Sequence, residues 1–160
     1  MSVAFTKEGD TENAAAADLP DRPVSQHPNL VTAEGRAQLE AALAQARADY
    51  QANQIGEGRE GDRRALARAA RDLRYYAARV ATAQLVAAPA DYETVRFGSQ
   101  VTLVRDDGRR QVLRLVGEDE ADPKAGTLSY VSPLASALMG KEVGDTALIA
   151  GAEVEIVKIS

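Results

Sequence analysis

The chain contains no cysteine, which excludes disulfide frameworks, zinc ribbons and thiol nucleophiles. It has no tryptophan and only two phenylalanines, and aromatic residues make up 4% of it. Much of its apolar content is alanine, which suits close helix packing in one region rather than a bulky core throughout. No apolar run approaches the roughly 18 residues that a membrane span needs. The N-terminus shows no basic region followed by an apolar stretch, so the expectation is a cytoplasmic protein with no membrane partner. The single histidine, His27, stands beside Pro28 with no other ligand-type residue grouped with it. A polar surface position is a better reading for it than a catalytic one.

What is present is unevenly charged. The 160 residues carry a net charge of −5, enough chain for one ordinary core or two small units. Residues 1–35 sum to −4. Residues 36–86 hold nine arginines against six acidic residues and sum to +3, and residues 87–160 return to −4. An acidic chain with one basic stretch is a poor duplex-DNA binder, so no strong binding to free duplex DNA is expected. The pattern favours a protein partner of mixed surface potential.

Three regions follow along the chain. Residues 1–31 are rich in Ala, Asp, Glu, Asn and Pro, with Pro20, Pro23 and Pro28 close together. They read as a flexible tail, with a short docked piece near Val3 to Phe5, because so little apolar surface cannot offset the entropy of ordering. Residues 32–88 read as helical. Thr32 is a candidate N-cap, and Glu34 lies favourably in the first turn. Leu39, Leu43, Ala46 and Tyr50 then make a heptad-like stripe. The stripe breaks at Gly56-Glu57-Gly58-Arg59-Glu60-Gly61 and resumes as Leu66, Ala69, Leu73, Tyr76, Val80 and Ala83. Two stripes about a Gly-rich turn predict an antiparallel coiled-coil hairpin, with arms of about 35 Å at ~1.5 Å rise per residue. Arg64, Arg68 and Arg71 share one helical face in this reading, away from the Leu66 and Leu73 seam.

Residues 89–160 read as a compact antiparallel β-domain on a short helix. Val95 to Phe97, Gln100 to Arg105, Gln111 to Val116, Thr127 to Val131, Thr146 to Ile149 and Glu153 to Ile159 are the expected strands. Asp106-Asp107-Gly108 is a strong hairpin turn, since Asp-Gly suits the positive φ of tight turns. Pro133 to Gly140 supplies a helical turn or two, and Gly151 the last turn. The expected fold class is therefore α+β, a helical hairpin followed by a β-domain.

The motifs in this last region carry a resemblance. Phe97-Gly98-Ser99-Gln100-Val101, the acidic turn Gly117-Glu118-Asp119-Glu120-Ala121-Asp122, Ser132-Pro133-Leu134-Ala135, and Gly140-Lys141 with Gly144-Asp145 resemble, in order, the C-terminal domain of the bacterial transcript-cleavage (Gre) factors. More weakly, Thr32-Ala33-Glu34-Gly35 with Leu39-Glu40-Ala41-Ala42-Leu43 resembles the start of their coiled coil, and Ala83-Gln84-Leu85-Val86 its end. The resemblance implies RNA polymerase as partner, with the coiled coil entering its secondary channel. It also implies a C-terminal domain of FKBP-like topology docked at the channel rim, with Asp119, Glu120, Asp122, Ser132 and Pro133 as docking residues. Val131 departs from the polar residue that usually precedes Ser-Pro.

The hairpin tip departs further. Cleavage-stimulating relatives carry an Asp and a Glu there, in a Gly-Asp-x-x-Glu type motif, and oxygen ligands of that kind suit a hard Mg²⁺ ion. Here Gly61-Asp62 fits the first two positions, but Arg63, Arg64 and Ala65 follow. The tip set is Glu57, Glu60, Asp62, Arg63 and Arg64, and cationic neighbours compete with a metal for the one aligned carboxylate. No catalytic residue, resident metal or cofactor is assigned, and any contact with polymerase-bound Mg²⁺ is indirect. The resemblance then implies a non-enzymatic polymerase regulator with weak or no cleavage stimulation. The alternative is a true cleavage factor that rescues backtracked polymerase. Two other signals are set aside. Asp119-Glu120-Ala121-Asp122 lacks the phosphate-binding loop a helicase needs, and an aromatic-poor chain is a poor prolyl isomerase.

Overall fold

A computed structural model of the chain describes residues 19–54 and 60–160. Its elements are β1 (Leu30–Val31), α1 (Ala33–Gln54), α2 (Glu60–Thr82), β2 (Gln84–Leu85), β3 (Gln100–Arg105), β4 (Arg110–Val116), a 3-10 turn (Pro123–Ala125), β5 (Thr127–Ser129), α3 (Pro133–Leu138), β6 (Thr146–Ile149) and β7 (Ala152–Ile159). They divide into two compact units. One holds Leu39–Thr82 with the described residues before Gln26; the other holds Gln26–Gln38 with Ala83–Ser160. The expected docked piece at Val3 to Phe5, and Glu57 and Arg59 at the hairpin turn, lie outside the described residues.

In the helical unit, α1 and α2 form an antiparallel hairpin. Ala42, Ala46, Asp49 and Asn53 of α1 line one groove with Tyr76, Asp72, Ala69 and Ala65 of α2, so the sequence runs in opposite directions along the two walls. Leu39, Leu43 and Ala46 are buried and Tyr50 is half-buried, as the heptad-like stripe predicts. On α2 the stripe is realised less completely. Ala69 is buried, while Leu66, Leu73, Tyr76 and Val80 are half-buried. A helix with one neighbour covers its seam from one side only. Arg79, in the last turn of α2, is almost fully buried, where a cation also suits the helix C-terminus. The Gly-rich turn is shorter than expected: Glu60 and Gly61 already belong to α2.

The second unit is built on a five-stranded sheet in the order β5-β4-β3-β7-β6. Inward residues alternate along β3 and along most of β4 and β7, as a half-buried pleat requires. Val101 and Leu103 of β3, Leu113 and Leu115 of β4, and Val154 and Ile156 of β7 form the core with Ala135 and Leu138 of α3. Gly108 takes φ 80° in the β3–β4 hairpin, and Asp107 accepts a hydrogen bond from the Arg109 N–H at 3.0 Å. Ala150 and Gly151, at φ 50° and 80°, close the β6–β7 hairpin.

The α+β class holds, with three corrections of detail. The sheet is mixed rather than antiparallel, because β5 pairs parallel with β4 (Arg114 beside Thr127, Leu115 beside Leu128). The ten residues between them cross back over the sheet end instead of forming a tight hairpin. Val95 to Phe97 is not a strand. Thr94 makes one isolated bridge to Glu142, while Val95 exchanges backbone hydrogen bonds with Gly140 and Lys141 and is buried. Residues 19–31, read as part of a tail, are engaged: β1 pairs parallel with β2, and Asn29 and Val31 are buried. No helix among the described residues is long and apolar enough to cross a membrane.

Candidate functional site

The acidic turn after β4 is held by close backbone approach. A methyl group on Gly117 would lie 2.4 Å from the Leu30 carbonyl oxygen, so only glycine lets the end of β4 pass this near β1. Beyond it, Glu120 accepts a hydrogen bond from Thr32 Oγ1 at 2.6 Å. Thr32 in turn accepts from the Gly35 N–H at 3.0 Å, and its carbonyl takes the first helical bond, from Arg36 at 2.9 Å. Thr32 is thus the N-cap read from sequence, and Glu120 braces it. Glu34, in the first turn of α1, lies 3.8 Å from Arg114. Its own backbone N–H and the Arg114 guanidinium hold its carboxyl below the usual range.

The other docking candidates also have local duties. Asp122 caps the 3-10 turn, its Oδ1 accepting from the Lys124 N–H at 3.1 Å, and its own N–H donates to Thr127 Oγ1 at 2.8 Å. Ser132 caps α3 by accepting from the Ala135 N–H at 3.3 Å, with Pro133 in the first helical turn. Pro133 and Asp119 are exposed. Between the two loops, Tyr130 packs edge-on against Phe97, ring centres 5.5 Å apart, and its hydroxyl donates to the Pro28 carbonyl. The acidic turn, through Glu120, and Tyr130, two residues before the Ser-Pro turn, therefore meet one segment, Pro28 to Gly35. Sequence reasoning passed over Tyr130 and the Thr32–Glu120 pair, since bonds spanning about a hundred residues leave no local signal.

At the hairpin tip, Asp62 is half-buried in the first turn of α2, while Arg63 and Arg64 are exposed. The helix N-terminus favours that carboxylate on its own. The arginine face is only partly as expected. Arg68 lines the inter-helix groove with Asp49 and Asp72, and Arg71 lies 3.6 Å from Asp72, so both lie beside carboxylates of the hairpin. A further cluster had no sequence signal. Arg22 lies over the Tyr75 ring at 3.9 Å and pairs with Asp72 at 3.2 Å, while Asp21 pairs with Arg74 at 2.6 Å. A guanidinium on an aromatic face with a carboxylate beside it is a favourable arrangement.

Comparison with known proteins fits the motif-bearing region. The family described as "Transcription elongation factor, GreA/GreB, C-term" matches residues 89–160. The transcription elongation factor GreA of Bradyrhizobium sp. strain BTAi1 is 51% identical over 55 residues, 34% of this chain and 35% of that protein. That of Hyphomonas neptunium is 53% identical over 57 residues, 35% of this chain and 36% of its own length. The chain thus matches about a third of the length of these curated relatives. Among solved structures, GreA factor homolog 1 of Thermus thermophilus aligns over 84% of this chain and 99% of its own, at 21% identity and a TM-score of 0.40; likeness of that degree adds no weight. Residues 89–160 are therefore a GreA/GreB-type C-terminal domain, the segment over which the family is matched.

Proposed function

We propose that this chain binds RNA polymerase as a transcription regulator and places its short helical hairpin in the secondary channel without strongly stimulating transcript cleavage. One observation carries the reading. A GreA/GreB C-terminal domain is joined to a hairpin whose second helix opens Gly61-Asp62-Arg63-Arg64-Ala65. Mg²⁺ handling needs converging oxygen ligands. Ala65 offers none, and the exposed guanidiniums of Arg63 and Arg64 oppose a second cation beside Asp62. The protein would not itself be an enzyme or hold a cofactor: any RNA cleavage belongs to the polymerase active site and its Mg²⁺. Docking would fall to the acidic and Ser-Pro turns, where Asp119 and Pro133 are exposed and Glu120, Asp122 and Ser132 keep the loops in shape.

The test is to add the protein to stalled, backtracked elongation complexes, following RNA shortening and, in parallel, polymerase binding. The expected result is binding without shortening above background. Shortening that disappears in Asp62→Ala would establish the alternative, a transcript-cleavage factor. Absence of binding would sink both readings and direct attention to a different partner.

A further inference from the structure

The outer face of the five-stranded sheet has a charge pattern that complements itself. Strand registers put Arg110 (β4), Val104 (β3), Glu155 (β7) and Thr146 (β6) in one row across the sheet. Val104 and Glu155 alternate with the inward Leu103, Val154 and Ile156, so this row points away from the core. The next row along is Val112, Thr102 and Lys158. Arg110, Glu155 and the neighbouring Glu153 are exposed, and among the described residues their side chains have no hydrogen bond or ion pair. Val112 is 49% exposed, and Leu148, opposite Glu153 at the sheet edge, is 73% exposed. The face thus has an unpaired cation on one side of β3, unpaired carboxylates on the other, and valines between and beside them.

We propose that this face is the contact surface for a second copy of the chain. β3 is the middle strand of the five, so a two-fold axis running along it lays β4 of one copy over β7 of the other. Arg110 of each copy then meets Glu155 of its mate, and the two Val104 side chains meet on the axis. A two-fold contact of this kind is isologous and closed, and two sheets packing nearly aligned is a common geometry. The other in-plane axis, across the strands, would set β4 on β4 and β7 on β7, placing like charges together. The Lys158 stem can cover Val112 of the mate while its ammonium stays in water. With strands ~4.8 Å apart and ~3.3 Å rise per residue, the face measures roughly 24 by 20 Å. That is below the ~800 Å² per partner of a standard interface, so the dimer is weak and its formation depends on concentration. The proposal uses residues of the β-domain alone and does not rest on polymerase binding.

Sedimentation velocity on the full chain, from about 5 to about 500 µM, a range chosen for a weak interface, tests it. The expected result is a reversible monomer–dimer equilibrium that weakens in high salt. Arg110→Glu and Glu155→Arg should each raise the dissociation constant about tenfold or more, because each sets like charges face to face. The double reversal, Arg110→Glu with Glu155→Arg, should restore association to within about threefold of the parent, since it recreates the pair in mirror order. Thermal melts of each variant confirm folding. A monomer at every concentration overturns the proposal. So does a dimer indifferent to both reversals, or single variants that dissociate with no rescue in the double.

Discussion

Gly117 and Gly35 both lie where an added methyl group would come within 2.4 Å of a neighbour, yet they should respond differently to alanine. At Gly117 the neighbour is the backbone carbonyl of Leu30, which can move only by shifting β1. Gly117→Ala should cost on the order of 2 kcal/mol or more, the scale of an overpacked core position. At Gly35 the obstacle is the Glu120 carboxylate oxygen, the mobile end of a side chain. Alanine in a helix gains about 1 kcal/mol over glycine, which offsets weakening of the Thr32–Glu120 bond. Gly35→Ala should therefore be near neutral. Urea denaturation of the two variants compares them directly, and equal losses would show that Glu120 is as immovable as backbone. Asp107 adds a pH effect. The Arg109 N–H, then its side chain, hold the Asp107 carboxyl below its usual range. Its contribution is present above the unfolded-state pKa of about 3.9 and is lost as pH falls through the folded value. Asp107→Asn should accordingly flatten the acid limb of stability against pH, read from melts in that window.

At the level of elements, the β6–β7 hairpin turns through Ala150 with φ 50°, a left-handed conformation that costs a residue with a Cβ roughly 1 kcal/mol. Ala150→Gly should raise stability by about 0.5 to 1 kcal/mol, measured as a higher urea midpoint with unchanged slope. The elements legible in the sequence were those defined by short-range pattern. The Thr32 cap, the Leu39–Leu43–Ala46 seam and the Asp107–Gly108 turn each follow from residues within one or two turns of one another. The parallel seat of β5 was not legible, because Thr127 to Ser129 looks the same whichever way its neighbour runs. Nor was the helical start at Glu60 and Gly61, where two glycines nearby read as a loop. At the candidate site, sequence marked the right loops but not their inward duties. Asp122 and Ser132 are caps, a local property, whereas the bracing of Thr32 by Glu120 depends on a contact 88 residues away.

For the whole molecule, the unit containing the sheet is discontinuous in sequence, since Gln26–Gln38 belongs to it with Ala83–Ser160. A boundary at residue 89 therefore removes β1, the buried Val31, the Thr32–Glu120 bond and the Tyr130 bond to Pro28. Residues 89–160 made alone should unfold at lower urea than the same residues in the full chain, by roughly 2 to 4 kcal/mol for one buried valine and two hydrogen bonds. Equal midpoints would show that the segment is a passenger. The β1–β2 pairing also sets Leu30 beside Gln84 and Val31 beside Leu85, so the chain leaves the β-domain and returns to it at one spot. The hairpin is in effect an insert between two adjoining ends, and loop-closure entropy grows only slowly with the length inserted. A heptad removed from both arms, or added to both, would leave the ends where they are. In such an architecture the length of the hairpin is a dial that evolution, or an engineer grafting a different tip, can turn without recutting the β-domain.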